Sequence, residues 1–296
     1  MAFMIVFGIT AFLWMVLDFF YISGFSRRSR TVLDDETAQI LDKLELHLPE
    51  EELKMIHSFD GTKLAGYFYH NSNANTMAIV IHGYGMTHEQ MRGIADMYFN
   101  EFGYSVLLPD LRGHGASGGK YIGFGWHDRL DILQWIGYIR NMMGDEVPIV
   151  LHGISMGGAT ALMTGEENPE NVKCVISDCS YTSISDILAY RMKKEFRLPA
   201  FPLLHMVNLA VRIRGKYSIY DGNILAKLEN CKIPVLYIHG GKDEYIPTNW
   251  VYALYEKTKS KKELYICDGA DHARSVLVDP VTYFKRVKGF LTAINL

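Results

Sequence analysis

From residue 77 onward, short runs of apolar residues alternate with longer stretches in which apolar positions recur every three or four residues. The runs are Met77 to His82, Tyr104 to Leu108, Ile149 to His152, Val172 to Ser177, Val235 to His239 and Leu264 to Cys267. Continuous apolar runs of this length predict strands covered on both faces. Pro148 and Pro234 stand just before two of them, where a missing N–H does least harm to a ladder. Between the runs, residues 87–101, 127–142, 156–166, 248–259 and 280–293 have helical length and period. The alternation predicts an α/β fold with a mostly parallel sheet and helices on both faces.

Two departures frame this pattern. Ahead of it, Lys54 to Ser58 and Lys63 to Tyr69 flank Asp60-Gly61, the short-range signal of a β-hairpin. Within it, residues 181–225 separate two strands by far more chain than a usual connection, and predict a helical lid insertion. The expected organisation is a catalytic domain over 51–296, preceded by a polar, acidic-leaning linker over 26–50.

The first 25 residues follow a different rule. Met1 to Leu17 carries no charged side chain, Asp18 interrupts, Phe19 to Phe25 is again mostly apolar, and Arg27, Arg28 and Arg30 follow. As a helix, this stretch would be about 37 Å long, enough to cross a bilayer. The reading is a membrane anchor over 1–25. Basic residues after the span place the catalytic domain in the cytoplasm, making a single-pass protein of the cell membrane. The competing reading is a helix docked on the domain or on a partner, since one Asp weakens a span.

Composition narrows the function. With 49% hydrophobic and 21% charged residues the chain can bury one sizeable core. A formal net charge of -3 gives no global attraction to phosphate backbones and argues against a nucleic-acid partner. Cys174, Cys179, Cys231 and Cys267 form no CxxC pair and sit in or beside apolar runs, so they are expected as reduced thiols. Without a His/Cys cluster or HExxH, no metal is expected.

The chemistry concentrates at strand ends. Ile149 to His152 runs into Gly153-Ile154-Ser155-Met156-Gly157, with a helical segment directly behind. This is G-x-S-x-G in the setting it requires, a serine on a sharp strand-to-helix turn. The helix N-terminus favours negative charge, and the Met156 amide is the first candidate oxyanion donor. A serine hydroxyl needs a base and an orienting carboxylate. In this architecture acid and then base follow the serine, and Asp243 and His272 each lie just after a later predicted strand. Asp178 and Glu244 are rival acids, and His114 is a rival base whose place before the serine counts against it. The loop after Met77 to His82, His82-Gly83-Tyr84-Gly85, offers the Tyr84 amide as second oxyanion donor. Gly113 to Gly118 formally matches G-x-G-x-x-G but continues as loop instead of opening a helix, so it implies no dinucleotide cofactor.

Together, His82-Gly83-Tyr84-Gly85, Asp110-Leu111-Arg112-Gly113-His114-Gly115-Ala116-Ser117, Gly153 to Gly157, the Asp243 segment and Asp271-His272 resemble the α/β-hydrolase superfamily. Within it, the chain looks like bacterial membrane-anchored prolyl-oligopeptidase-like hydrolases. The resemblance covers about residues 51–296. It implies an eight-stranded sheet, Ser155, Asp243 and His272 as triad, Met156 and Tyr84 as oxyanion donors, and no cofactor. The expected substrate is a small-molecule acyl ester or a short peptide. Esterase, peptidase and non-catalytic ligand binder are the three classes weighed. Ester cleavage leads, because a peptidase should also hold a peptide terminus or backbone. The lid carries Arg191, Lys193, Lys194, Arg197, Arg212, Arg214 and Lys216, either simply solvated or facing anionic headgroups.

Overall fold

The structure, a computed structural model, describes residues 14–15, 18–19, 21–27 and 45–296. Eight strands form one sheet: β1 (Glu52–His57), β2 (Lys63–Tyr69), β3 (Met77–Ile81), β4 (Ser105–Pro109), β5 (Ile149–Ile154), β6 (Val172–Asp178), β7 (Val235–Gly240) and β8 (Lys262–Cys267). Their order across the sheet is β1-β2-β4-β3-β5-β6-β7-β8. Strand β2 runs antiparallel to β1 and β4, and all later pairings are parallel. The hairpin is wider than a two-residue turn: His57 pairs with Lys63, and the Ser58 N–H donates to Thr62 O at 2.8 Å across the intervening loop. Gly61 takes φ +80 there, a backbone state open to glycine at no steric cost.

The apolar runs are strands because both faces are covered. Along β3, Met77, Ile79 and Ile81 join one core cluster while Ala78 and Val80 join the other, the two-residue alternation of a pleated strand. Helices α1 (Arg92–Asp96), flanked by a 3-10 turn and a π turn, and α9 (Pro280–Ala293) cover one face through Ile94, Tyr98, Tyr283 and Phe290. Helices α2 (Asp128–Met143), α3 (Met156–Glu166) and α7 (Asn249–Lys257) cover the other through Trp135, Leu162 and Leu254. His152 crosses the first interface. Its ring nitrogens contact the Tyr98 and Tyr283 hydroxyls at 3.0 and 2.8 Å, so a buried polar residue is satisfied on both sides. At the edge, β8 begins at Lys262, ahead of its apolar run, and its charged start blunts an otherwise open ladder.

Between β6 and β7 the chain forms α4 (Ile184–Phe196), α5 (Ala200–Arg214) and the short α6 (Ile224–Lys227). Ser183 caps α4 by accepting from the Asp186 N–H at 3.0 Å, and Asn223 caps α6 in the same way at 3.1 Å. Helices α4 and α5 pack on each other and lie over the carboxyl end of the sheet beside Ser155. A final short helix, α8 (Ser275–Val278), precedes α9.

The expected membrane anchor falls largely on residues outside those described, and among the described residues no helix is long and apolar enough to cross a membrane. Its carboxyl end is docked on the domain. The described residues from 14 to 25 are helical, Tyr21 and Phe25 are buried in the core, and Asp18 forms an ion pair with Arg214 of α5. Residues 28–44 of the expected linker lie outside the described residues, while its described parts touch the body. Ser26 bridges Tyr121, and the His47 N–H donates to Asp96 Oδ1 at 2.7 Å.

Candidate active site

Ser155 stands between the last residue of β5 and the first of α3, with φ 57 and ψ −117. For a residue with a side chain this backbone is strained, and close packing holds it there. A Cβ on Gly153 would meet Gly157 O at 2.1 Å, and one on Gly157 would meet Ile81 O at 2.1 Å. That is the physical content of G-x-S-x-G: Gly153 lets the turn fold closely on itself and Gly157 lets it press against β3, while the serine hydroxyl projects over the strand ends.

The later strand ends bring the other groups in. Ser155 Oγ lies 2.8 Å from His272 Nε2, and His272 Nδ1 lies 2.7 Å from Asp243 Oδ2. The loops bearing acid and base are laced together, with the Gly241 N–H on Cys267 O and the Lys242 N–H on Ala270 O, both at 2.9 Å. Gly240 permits that approach, since a Cβ there would meet Ala270 O at 2.4 Å.

Asp243 is buried, and burial alone would raise its carboxyl. Hydrogen bonds from His239, His272 and the Ile246 N–H outweigh burial and hold it well below the usual carboxylate range. Its Oδ1 accepts the Tyr245 and Ile246 amides at 2.9 and 2.8 Å. His239 Nε2 faces Ile246 O at 2.9 Å and Asp243 Oδ2 at 3.3 Å; both can only accept, so this nitrogen carries a proton. By the same reasoning an ionised Asp243 fixes the His272 proton on Nδ1, leaving the Nε2 lone pair towards the serine.

The rival residues are placed elsewhere. Asp178 ends β6, where its backbone O accepts the Ser155 N–H at 2.8 Å, while the His272 hydrogen bond goes to Asp243. Burial pushes the Asp178 carboxyl up to about 6, against the pull of His239. The Glu244 carboxylate pairs with Lys194 at 3.0 Å, away from His272. The His114 ring spans Arg112 O at 3.1 Å and the Gly85 N–H at 3.2 Å, bracing the loop that carries Tyr84.

That loop lies against the nucleophile. A Cβ on Gly83 would sit 3.4 Å from both Ile154 O and the Ser155 Cβ. His82, fully buried, accepts the Leu111 N–H on Nε2 at 2.9 Å, so its Nδ1 carries the proton and donates to Gly83 O at 2.7 Å. The adjoining Asp110 to Ser117 segment is scaffold: Asp110 accepts the His88 and Ala116 amides at 2.9 and 2.8 Å, and Arg112 grips Asp131 with two bonds of 2.7 Å. Gly113 to Gly118 closes on itself, Gly113 N–H to Gly118 O at 2.8 Å, and opens no helix.

Among the described residues, Cys179, Asp243 and His272 bring ligand atoms close enough to share a metal. They suit one poorly. Burial holds the Cys179 thiol well above its ordinary range, hence protonated, and the His272 and Asp243 atoms that face each other are already bonded.

Beside Ser155 opens a cavity of about 300 Å³, walled mainly by apolar groups of α4 and α5, by Phe124, Tyr181 and Met156, and by residues 23–25. Its charged lining residues, Arg191 and Glu195, pair with each other. The sequence pattern did not single out His239, Tyr245 or Phe25 for this site. His239 reads as the end of an apolar strand, and the other two reach the site only through tertiary contacts.

The family model described as alpha/beta hydrolase fold matches residues 79–210. The chain is 34% identical over 248 residues to the protein YqkD of Bacillus subtilis, covering 83% of this chain and 81% of that one. It is 25% identical over 246 residues to the membrane protein YNL320W of Saccharomyces cerevisiae, covering 82% and 80%. Among solved structures it is similar to the Pyrococcus furiosus esterase Pf2001, with a TM-score of 0.69 and 26% identity over 89% of this chain and 98% of that one. Sheet order, strand-to-helix serine turn and these similarities agree: the chain belongs to the α/β-hydrolase superfamily.

Proposed function

We propose that this protein is a serine hydrolase that cleaves carboxylic esters through an acyl-enzyme. The observation that carries this reading is the relay from Ser155 Oγ through His272 to Asp243, with steps of 2.8 and 2.7 Å, at the edge of an apolar cavity. In the first half-reaction His272 Nε2 takes the Ser155 proton as Oγ attacks the ester carbonyl. The Met156 and Tyr84 amides hold the oxyanion, backed by the N-terminus of α3. His272 then returns the proton to the departing alkoxide, and a water repeats the sequence to release the acid. Asp243, ionised, orients the imidazole and offsets the positive charge it gains.

The cavity favours an ester over a peptide. Its walls are mainly apolar and its Arg191 and Glu195 are already paired, so it suits an acyl chain better than a backbone that must be hydrogen-bonded. The name of the similar Pyrococcus furiosus protein, an esterase, points the same way. Helices α4 and α5 act as a lid over this site. Hydrolysis of p-nitrophenyl esters in preference to aminoacyl-anilides, abolished in Ser155→Ala, is the expected result; ester turnover surviving that substitution contradicts the proposal.

We also infer that the N-terminal segment holds the enzyme at a membrane, with the catalytic domain on the cytoplasmic side. The uncharged stretch from Met1 to Leu17 supports this, as do the exposed Met15, Phe19 and Ile22 of a segment that Asp18 ties to Arg214 of α5, a helix with exposed Leu209 and Ile213. Flotation of the full-length protein with liposomes tests it, and recovery in the unbound fraction without detergent contradicts it.

A further inference from the structure

Part of the cavity wall comes from outside the hydrolase domain. Ser23, Gly24 and Phe25 line the space that opens on Ser155. This segment is tied down at several points. The Tyr84 hydroxyl donates to Gly24 O at 2.9 Å, the Ile122 N–H donates to Phe25 O at 2.8 Å, and Asp18 pairs with Arg214. Phe25 is only 2% exposed, and its ring lies 4.9 Å from that of Phe124, which lines the same cavity. The residue that carries a candidate oxyanion amide, Tyr84, thus also holds the segment in place.

From this we infer that residues 23–25 are a specificity element: Phe25, with Phe124, bounds the space for the acyl group and sets the chain length the enzyme accepts. The inference rests on the ester-hydrolase reading of Ser155. Its physical basis is packing. An apolar wall discriminates by the methylenes it admits or refuses, each worth about 10- to 200-fold in kcat/KM. A Phe25 that served only to fill the core would affect every ester alike when trimmed. A Phe25 that forms the wall changes the ratio between long and short chains.

The test uses the full-length protein and p-nitrophenyl esters from acetate to decanoate, with kcat/KM normalised to the fraction of Ser155 labelled by a fluorophosphonate. Phe25→Ala is expected to raise the decanoate-to-acetate ratio by about tenfold or more. Gly24→Leu is the opposite change, adding a side chain at a position that lines the cavity and where a Cβ meets nothing within 4 Å. It is expected to lower the ratio by about fivefold or more, and decides the matter if Phe25→Ala does not accumulate as folded protein. A ratio within about twofold of the wild type in the deciding variant, with labelling intact, overturns the inference and leaves the hydrolase reading standing. Failure of the wild type to be labelled at Ser155 overturns both.

Discussion

The Tyr245 ring stacks on the His272 imidazole, with centroids 4.7 Å apart and planes 25° from parallel. The Arg191 guanidinium also lies over Tyr245, 3.7 Å from the ring centroid, so a residue of α4 touches the side chain that packs on the candidate base. An aromatic contact of this kind contributes about 1 kcal/mol and restricts how far the imidazole can swing. Tyr245→Ala should therefore lower kcat by roughly fivefold, while Tyr245→Phe stays near wild type. Steady-state ester hydrolysis checks this, and equal losses in both variants would remove the stacking argument.

Asp243 does more than fill a turn. With its carboxyl held well below the usual range, it is ionised at neutral pH. Its hydrogen bonds therefore add stability above the unfolded-state pKa of an aspartate, and that stability is lost as pH falls through the lower folded value. Asp243→Asn should lower kcat by roughly 10³- to 10⁴-fold by allowing the wrong His272 tautomer. The residual rate, measured against pH with a p-nitrophenyl ester, checks the assignment.

Asp178 should behave in the opposite way. Its folded pKa, about 6, lies above the ordinary 3.8, so the unfolded chain releases this proton first and stability declines as pH rises between the two values. Below that window the carboxyl is neutral in both states, and above it the penalty is constant. Asp178→Asn is expected to stabilise the protein by on the order of 2–3 kcal/mol at pH 8 and by much less at pH 4. Urea unfolding at both pH values checks this, and fluorophosphonate labelling of Ser155 should persist in the variant.

The glycines of the serine turn make a sharper claim. Gly157→Ala places a methyl carbon 2.1 Å from Ile81 O, a backbone atom that cannot move aside cheaply. A loss of about 3 kcal/mol or more is expected, with the turn displaced. Gly137→Ala, on α2 where a Cβ meets nothing within 4 Å, should be neutral or slightly stabilising. Thermal unfolding of the two variants compares them directly.

Much of this molecule is legible along the chain, and the boundary of what is legible has a physical cause. Helices α3 and α9 begin and end where their apolar period does, over 156–166 and 280–293. Strands β3 to β7 follow their apolar runs closely, because burial on both faces leaves a continuous signal in sequence. Ser155, Asp243 and His272 are readable because each sits at a strand end, in the chain order the fold imposes. The 87–101 helix is only partly foreseen: one period covers what folds as a 3-10 turn, α1 and a π turn. The supporting groups are not readable. His239 looks like strand, and Tyr245 reaches His272 only once two loops are laced together. The docking of residues 21–25 is not readable, since an apolar run suited to a bilayer also suits the wall of a cavity, and periodicity cannot distinguish them. The pairing of Asp18 with Arg214 of α5 is likewise a tertiary contact that no period along the chain announces.

Ester cleavage at this site depends on activation of the Ser155 hydroxyl by His272. Reaction of the full-length protein with a fluorophosphonate, followed by peptide mapping, tests it most directly. A single adduct on Ser155, formed at least about 10³-fold more slowly in His272→Ala, is the predicted result. No adduct on Ser155, or one that forms equally fast without the imidazole, would contradict the account.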